Sequence, residues 1–290
     1  MTLVGESWFS QTLDHFIDNA LAEDIGAGDL TSLATIKKGQ TGTALFYVKE
    51  NCVIAGIELA QKICARFDPS LIVSFNVKDG DSVKSVACVG EITGSIHTIL
   101  QLERLMLNCM QRMSGIATLT KQYVQLAQPA GIDIYDTRKT TPNFRLPEKW
   151  AVEIGGGVNH RFGLDDQILI KDNHIKAAGD IQSALDNCLA YCNQQNIQIP
   201  VIVEVKNEQE FLTALKHSIV NRILIDNHSP EVLEKYIQYR NTIAPTKKLE
   251  ISGGINLDNI KPYLIPGIDC ISVGALTHHA ISVDISLKIV

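Results

Sequence analysis

The sequence predicts an α/β fold whose second half is a parallel (β/α) barrel, either open or with fewer than eight strands. After Gly115, short apolar segments end abruptly in a polar or glycine residue, and a helix-like stretch follows each. Their ends lie roughly 20 to 35 residues apart, the length of one strand–helix unit. Repeated units of this kind imply parallel strands joined by right-handed crossovers.

The part of the chain before Gly115 mixes helices and strands without this alternation. Apolar periodicity and turn residues predict four elements there: a helix over residues 12–25, a strand over 42–48, a helix over 56–67 and a strand over 71–77. A long helix is predicted from Ile96 to Met113, and Ser114–Gly115 is expected to break it. The predicted domains are residues 1–114 and a barrel domain of residues 115–290, whose last ~15 residues are candidates to pack back on the first domain.

Six segments after Gly115 are the predicted barrel strands. They are IDIYD ending at Asp136, QILIK at Lys171, VIVEV around Glu204, RILID at Asp226, LEISGG at Ser252–Gly254 and CISVGA at Gly274. In such barrels, side chains at the carboxyl ends of the strands build the active site. Charged residues or glycine-rich turns stand at these ends, so the sequence predicts a site there.

Composition and charge exclude several classes of protein. Hydrophobic residues make up 45% of the chain, and the formal net charge of -6 argues against a nucleic-acid partner. The opening MTLVGESWFSQTLDHF lacks the pattern of a secretory signal, and no apolar run approaches the roughly 18 residues of a membrane span. The seven cysteines are scattered, and the close pair Cys188 and Cys192 has no second pair at zinc-site spacing. We therefore expect reduced thiols in a cytoplasmic protein without a membrane or nucleic-acid partner.

Residues 136–150 and 159–174 hold many cations for an acidic chain. These cations are Arg138, Lys139, Arg145, Lys149, His160, Arg161, Lys171 and His174. A solvated surface would mix both signs of charge, so the cluster predicts an anionic ligand. Arginine suits bidentate recognition of planar carboxylates, and lysine suits a phosphate as a point charge.

Several cations leave alternatives open. Lys171 follows ILI at the predicted barrel mouth, where it could form a Schiff base, contact a phosphate or contact a carboxylate; a surface lysine is the other reading. The glycines of GGGVNHR predict a shaped loop before His160–Arg161, although it is no Walker loop because no GK[ST] follows. Arg104 and Arg112 lie on the predicted long helix, and spacing alone does not choose between a functional and a solvent-facing role for them.

Two carboxylates and two glycine-rich turns complete the candidate site. Glu204 and Asp226 lie in or after aliphatic strands, where a carboxylate is costly unless it meets a metal, a cation or a hydroxyl donor. They could hold Mg²⁺, bind sugar hydroxyls or stabilise an oxocarbenium-like centre; a structural ion pair is the alternative. The turns ISGGIN (251–256) and SVGALT (272–277) predict a phosphate site, since small residues let backbone N–H groups approach a ligand. Glycines required only for tight turns are the alternative.

At this point the motifs resemble those of the quinolinate phosphoribosyltransferases. The motifs that carry the resemblance, in order along nearly the whole chain, are ALAEDIGAGDLTS, DTRKTTP, EKWAVEIGGGVNHRFGLDDQILIKDNHI, VEV, EISGGIN and ISVGALTH. The resemblance implies an N-terminal α/β domain followed by an incomplete α/β barrel. It also implies a homodimer or larger assembly, in which the N-terminal domain of one subunit covers the barrel mouth of another. The implied reaction joins quinolinate to 5-phosphoribosyl 1-pyrophosphate with Mg²⁺ and no organic cofactor, giving nicotinate mononucleotide, pyrophosphate and CO₂ in de novo NAD synthesis.

The resemblance also implies roles for individual residues. Quinolinate carboxylates would be bound by Arg138, His160, Arg161 and Lys171, with Thr137 beside them and Arg104 reaching in from the partner subunit. Lys139 and Lys171 would also serve the pyrophosphate, and Glu204 and Asp226 would bind the ribose hydroxyls and Mg²⁺. The 5-phosphate would lie against Ser252, Gly253, Gly254 and Gly274, with His278 in the matching ALTH. The catalytic set implied is Lys139, Lys171, Glu204 and Asp226.

Some positions and some functions remain open. Asn143 stands where a glycine is common in this family, Pro147 interrupts RLPEK, and Lys206 replaces a frequent acidic residue. The nearest alternative is a homologous barrel enzyme acting on another anion such as nicotinate. The others are an aldolase that forms a Schiff base on Lys171 and an anion-binding module without turnover.

Overall fold

The computed structural model describes residues 3–290 of the chain. Its α-helices are α1 (Phe9–Ile25), α2 (Leu30–Thr35), α3 (Ile57–Phe67), α4 (Ile96–Ala127), α5 (Arg145–Ile154), α6 (Asp172–Ala178), α7 (Ile181–Gln195), α8 (Glu208–Lys216), α9 (Pro230–Ile243) and α10 (Ala275–His278). Its strands are β1 (Thr41–Val48), β2 (Cys52–Val53), β3 (Ile72–Phe75), β4 (Ser82–Val83), β5 (Ala87–Ser95), β6 (Asp133–Tyr135), β7 (Ile168–Ile170), β8 (Val201–Val205), β9 (Arg222–Asp226), β10 (Lys248–Ser252), β11 (Cys270–Ser272) and β12 (Ile285–Ile289). Single 3₁₀ turns occur at Leu3–Gly5, Gln128–Ala130 and Lys261–Tyr263.

The chain divides into two compact units, and both are discontinuous in sequence. The first unit contains the described residues up to Lys121, together with 139–157 and 276–290. The second unit contains 122–138 and 158–275. The predicted domain boundary at residue 114 stays a prediction.

An antiparallel sheet organises the first unit. Its strand order is β12-β1-β5-β3, so the strand nearest the C-terminus pairs with β1 along Ala44–Val48. Alternate residues of β1 point into the core, and Ala44, Phe46 and Val48 are fully buried there. The strand predicted over 42–48 is confirmed.

Helix α4 runs without interruption through the predicted break, so that prediction is wrong. The Ser114 hydroxyl accepts a hydrogen bond from the Ala55 backbone N–H at 2.9 Å, and Ser114 is fully buried. A Cβ atom at Gly115 would overlap the carbonyl oxygen of Ile281. The small residues at this point therefore allow two other segments of the first unit to approach the helix closely, and they do not end it.

A six-stranded parallel sheet organises the second unit, which confirms the predicted incomplete barrel. Its order is β6-β11-β10-β9-β8-β7, and all six strands are the predicted ones. Strands β6 and β7 are the two ends of this order, so the sheet does not close through them. A parallel bridge between Tyr135 and Val158 extends the edge at β6.

The parallel sheet has one aliphatic face and one polar face. The register pairs Glu250 with Leu224 and Leu224 with Glu204, which places the two carboxylates on the same face. Two residues further on, Ser252 pairs with Asp226 on that face. The intervening side chains are fully buried or nearly so: Val203, Val205, Ile223, Ile225, Leu249, Ile251 and Ile271. Strands covered on both faces usually read as continuous aliphatic runs, so the alternation marks the polar face as a place for chemistry.

We expect Gly115→Ala to destabilise the protein although alanine favours helix. The propensity gain is about 1 kcal/mol, whereas overpacking against a fixed backbone costs about 1 to 3 kcal/mol. Urea unfolding should therefore show a lower midpoint for Gly115→Ala than for the wild type. The control is Lys121→Ala on an exposed position of the same helix, which should change the midpoint little. A midpoint at or above that of the wild type would show that the Ile281 segment yields to the added methyl group.

Candidate active site

Three of the predicted site residues meet at the carboxyl edge of strands β7, β8 and β9. Lys171 directly follows β7, Glu204 lies in β8, and Asp226 ends β9. The Lys171 Nζ atom lies 3.5 Å from Glu204 Oε2, and Glu204 is only 8% exposed. Adjacent parallel strands thus bring together a cation and two carboxylates that are far apart in sequence.

The negative charge of the Glu204 carboxylate is only partly compensated by its surroundings. Burial raises the pKa of its carboxyl group above the ordinary value, and the negative charge of Asp226 raises it further. Lys171 opposes both effects, but it does not cancel them. A group that supplies positive charge or a hydroxyl donor would be favoured beside this pair of carboxylates.

Arg138 and Arg161 form a pair of partly desolvated cations. Arg161 is 8% exposed, and its pKa is lowered by burial and by the positive charge of Arg138. The Nε atoms of both guanidinium groups are buried without a hydrogen-bond partner among the residues that the structure describes. Arg161 Nη1 donates to the Gln167 carbonyl at 2.9 Å, and this hydrogen bond fixes one side of the guanidinium group. Two cations held in this way favour an anion in addition to the nearby Asp166, and their planar shape suits carboxylates.

His160 is buried, and both of its ring nitrogens contact protein atoms. Its Nδ1 atom accepts a hydrogen bond from the Arg161 backbone N–H at 3.0 Å. Its Nε2 atom lies 3.2 Å from Glu250 Oε1, and its backbone N–H donates to Asp136 Oδ1 at 2.7 Å. A direct contact between this ring and a substrate carboxylate stays a prediction.

Glu250 is a residue of the site that the sequence reasoning did not identify. It is fully buried in β10 and accepts hydrogen bonds from His160, from Ser272 Oγ and, at 3.1 Å, from Arg222 Nη1. Burial alone would raise its pKa, but the His160 and Ser272 hydrogen bonds and the Arg222 charge outweigh burial and lower it. The signal was present, because the glutamate in LEIS interrupts an aliphatic strand as Glu204 does in VIVEV.

The turn after β10 requires glycine for space and for backbone conformation. Gly253 has φ +103°, and a Cβ there would lie 2.8 Å from the Asn227 backbone nitrogen. Asn227 donates its N–H to the Ser252 carbonyl at 2.9 Å, which joins the loops after β9 and β10. Gly254 also has a positive φ of 63°, whereas Gly274, which follows β11 after Val273, has none. The predicted phosphate turns therefore stand at the same edge as the carboxylates.

The remaining predicted residues, Arg104, Lys139 and His278, belong to the first unit. Arg104 is exposed on α4. The Lys139 carbonyl accepts a hydrogen bond from Thr277 Oγ1 at 2.8 Å, next to His278. The pKa of His278 is lowered by partial burial and by the charges of His279 and Lys139. Thr137, which follows β6 with Arg138, belongs to the second unit.

Of the two arginines on α4, Arg112 is committed to contacts inside its own subunit. Its Nη2 atom lies 2.9 Å from Oε1 of the fully buried Glu148. Its Nη1 atom donates to the Ala280 carbonyl at 2.7 Å, and Glu148 in turn accepts from Thr141. Arg104 is therefore the better candidate for a contact outside the subunit.

The three unusual sequence positions fit their local structures. Asn143 has φ +61°, a left-handed conformation that asparagine tolerates better than other side chains. Pro147 lies in the first turn of α5, where a missing N–H costs nothing. Lys206 forms an ion pair with Asp172 at 2.9 Å.

Comparison with known proteins identifies both parts of the chain. Residues 29–114 match the family model described as Quinolinate phosphoribosyl transferase, N-terminal domain, and residues 116–288 match the C-terminal domain of the same family. Quinolinate phosphoribosyltransferase [decarboxylating] 1 of Nicotiana glauca is 42% identical over 285 residues, covering 94% of this chain and 81% of the relative. The probable nicotinate-nucleotide pyrophosphorylase [carboxylating] of Synechocystis sp. is 35% identical over 280 residues, covering 96% of this chain and 92% of the relative.

A solved structure gives the same result for the fold. The nicotinate-nucleotide pyrophosphorylase from Francisella tularensis superposes with a TM-score of 0.89 at 32% identity, covering 100% of this chain and 99% of that one. The resemblance drawn from the motifs is confirmed. With its motifs, its incomplete barrel and these matches over nearly its whole length, the chain belongs to the quinolinate phosphoribosyltransferase family.

Proposed function

We propose that this chain transfers the phosphoribosyl group of 5-phosphoribosyl 1-pyrophosphate to quinolinate, with loss of CO₂. The products are nicotinate mononucleotide and pyrophosphate, and the reaction serves de novo NAD synthesis. The observation that carries the proposal is the pair Arg138 and Arg161, whose buried Nε atoms have no hydrogen-bond acceptor among the described residues. A substrate with two adjacent carboxylates supplies acceptors for both guanidinium groups.

The same pair argues against nicotinate as the substrate. Nicotinate has one carboxylate, and its binding would leave one partly desolvated guanidinium without an anion. Lys171 is engaged with Glu204 at 3.5 Å, which does not favour the free amine that a Schiff-base aldolase requires. The homologous enzyme for another anion and the aldolase are therefore the weaker readings.

The ribose of the phosphoribosyl group binds to carboxylates, in contrast to quinolinate, which binds to cations. Glu204 and Asp226 accept hydrogen bonds from the ribose hydroxyls, and they stabilise positive charge that develops at the ribosyl carbon as pyrophosphate leaves. The turns at Ser252–Gly254 and Gly274 bind the 5-phosphate through backbone N–H groups. Lys139 and Lys171 neutralise the pyrophosphate.

The donor set fits Mg²⁺ brought in by the substrate. Glu204 and Asp226 offer hard oxygen atoms, and the charge of Asp226 raises the pKa of Glu204, so a divalent cation beside them relieves the repulsion. Residues 3–290 contain no group of three or more His, Cys, Asp or Glu able to hold a metal. Mg²⁺ is usually bound by one or two carboxylates together with substrate phosphates, so Glu204 and Asp226 would be the residues that hold it. When bound, Mg²⁺ neutralises charge on the departing pyrophosphate.

Orientation and charge neutralisation then account for the reaction without an organic cofactor. The arginines hold quinolinate with its ring nitrogen directed at the ribosyl carbon. Attack makes that nitrogen quaternary and positive. When the adjacent carboxylate leaves as CO₂, the electron pair of the broken C–C bond stays on the ring carbon, where the neighbouring positive nitrogen stabilises it. A proton from solvent then completes nicotinate mononucleotide. The residues of the chain bind and position the substrates.

Assembly and location are further parts of the proposal. Arg104, exposed on α4, reaches the site of a partner subunit in a homodimer or larger assembly. The seven free cysteines are compatible with a cytoplasmic location, although some relatives are named as mitochondrial or chloroplastic enzymes. No helix in the described part of the chain is long and apolar enough to cross a membrane.

The assay that tests the activity measures CO₂ and pyrophosphate release from quinolinate, 5-phosphoribosyl 1-pyrophosphate and Mg²⁺. Both products should appear with quinolinate, should be absent with nicotinate, and should be lost in Lys139→Ala because the pyrophosphate loses a counter-charge. Turnover of nicotinate in place of quinolinate would move the protein to the alternative activity. Binding of both substrates without turnover would reject the catalytic proposal.

Arg161→Lys should raise the KM for quinolinate on the order of 10- to 100-fold and leave the KM for 5-phosphoribosyl 1-pyrophosphate nearly unchanged. Lysine keeps the charge but cannot present a planar fork to a carboxylate. Initial rates of CO₂ release at varied quinolinate concentration measure the effect. The matched control is Arg240→Lys, which alters an arginine paired with Asp269 at 3.1 Å and should leave both KM values unchanged. Equal changes in both KM values for Arg161→Lys would contradict a dedicated quinolinate role.

Glu204→Gln should lower kcat on the order of 100-fold without lowering thermal stability at neutral pH. The folded-state pKa of Glu204 is raised, so the folded protein holds this proton more tightly than the unfolded chain. Ionisation of Glu204 therefore costs stability as pH rises above the unfolded value of about 4.3, and the glutamine variant avoids this cost. The Tm of the variant should exceed that of the wild type by an amount that grows from about pH 4 to about pH 7. A Tm that falls instead would indicate that the Lys171 contact makes Glu204 a stabilising residue.

A further inference from the structure

Glu250 has more hydrogen-bond donors than a structural ion pair needs. Arg222 Nη1, at 3.1 Å, already supplies a counter-charge for the buried carboxylate. Ser272 Oγ and His160 Nε2 are also directed at it, both through Oε1. Each of these groups lies in the second unit, on or next to the polar face of the parallel sheet. The His160 contact therefore calls for a separate explanation.

The contact with Glu250 determines which nitrogen of His160 carries the proton. A carboxylate accepts only, so Nε2 must donate to it. A neutral ring with its proton on Nε2 leaves Nδ1 as an acceptor, and Nδ1 receives the Arg161 N–H at 3.0 Å. The opposite tautomer would place two donors face to face at Nδ1. Glu250 and the Arg161 backbone thus fix one ring between them.

The fixed ring in turn holds the backbone that carries the Arg161 side chain. The His160 N–H donates to Asp136 Oδ1 at 2.7 Å, so both N–H groups of this dipeptide are engaged. Beyond the backbone, Arg161 Nη1 is held by the Gln167 carbonyl. The Arg161 Nε atom remains buried without a partner in the described residues, ready for a ligand. Orientation of this guanidinium therefore depends on a chain of contacts that begins at Glu250.

We propose that Glu250 is a positioning residue for quinolinate, acting through the tautomer of His160 on the placement of Arg161. The proposal rests on the proposed function, and in it His160 supports the placement of Arg161. Groups that hold a ligand-binding side chain in this way commonly change affinity by roughly 10- to 100-fold when they are altered.

The test is Glu250→Gln, assayed for both substrates. The amide keeps the shape but loses the negative charge, and it can present either its oxygen or its NH₂ group to His160 Nε2, so it no longer fixes the ring from that side. The KM for quinolinate should rise about tenfold, and the KM for 5-phosphoribosyl 1-pyrophosphate should stay within about twofold. Equal changes in both values, or a loss of thermal stability with both values unchanged, would overturn the proposal.

Asp269→Asn is the matched control. Asp269 also pairs with an arginine, at 3.1 Å to Arg240 Nη1, and accepts the Leu249 N–H at 2.8 Å near the start of β10. It lies at the opposite end of the sheet from the candidate site, because Asp269 precedes β11. This variant should lower stability and leave both KM values unchanged.

A double-variant comparison separates positioning from folding. His160→Asn keeps an acceptor near Nδ1 and removes the link to Glu250. If Glu250 acts through His160, then Glu250→Gln should raise the quinolinate KM in the wild type but not in the His160→Asn background. Additive effects would overturn the proposal. Should Glu250→Gln fail to fold, Ser272→Ala is the milder change, because it leaves the His160 contact and should leave the quinolinate KM unchanged.

Nitrogen NMR of histidine-labelled protein gives a readout that does not depend on turnover. The His160 signals, assigned by their loss in His160→Asn, should show the neutral ring protonated at Nε2. A ring protonated at Nδ1, or at both nitrogens at neutral pH, would overturn the proposal. If the wild type does not turn over quinolinate, the proposed function fails by itself. Binding of phthalate, a planar 1,2-dicarboxylate, to wild type and Glu250→Gln then tests the positioning role separately.

Discussion

The candidate site depends on one constraint, which is that the parallel sheet buries carboxylates on one of its two faces. A buried carboxylate is tolerated only when donors or cations surround it. Glu250 meets this condition within the protein, since His160, Ser272 and Arg222 all contact it and its pKa is lowered. Glu204, on the same face, does not, and its pKa is raised. The contrast separates a carboxylate whose charge is compensated within the protein from one whose charge Lys171 compensates only in part.

Arg138 and Arg161 also have buried atoms that no described residue satisfies, but these side chains carry a positive charge. Arg161 keeps one hydrogen bond to the Gln167 carbonyl and has a buried Nε atom without a partner in the described residues. Groups held in place before the substrate arrives cost stability in the free protein and save reorganisation when the anion binds. The cations proposed for one substrate and the carboxylates proposed for the other both lie on strand ends or on loops that adjoin them.

Much of this arrangement was predictable from sequence, for identifiable reasons. Parallel strands present their carboxyl ends at one edge, so Lys171 and Asp226 could be placed together from strand ends alone. The uninterrupted helix could not be predicted, because the role of Gly115 depends on the Ile281 carbonyl, far along the chain. The ion pair of Arg112 likewise could not be predicted, because it depends on Glu148, which no local pattern connects to α4. Glu250 could not be found from strand ends, because it lies in the middle of β10.

The discontinuity of the first unit affects how the chain can fold as it leaves the ribosome. Strand β12 pairs with β1, yet it is translated after every residue of the second unit. Until then, the outer edge of β1 has unsatisfied backbone groups, and such edges can pair with another nascent chain. All strands of the second unit precede β12 in the chain, so the sheet of the first unit is the last to receive all its strands. A product that ends before Ile285 would therefore lack the strand that covers this edge of β1, and the exposed edge would favour aggregation.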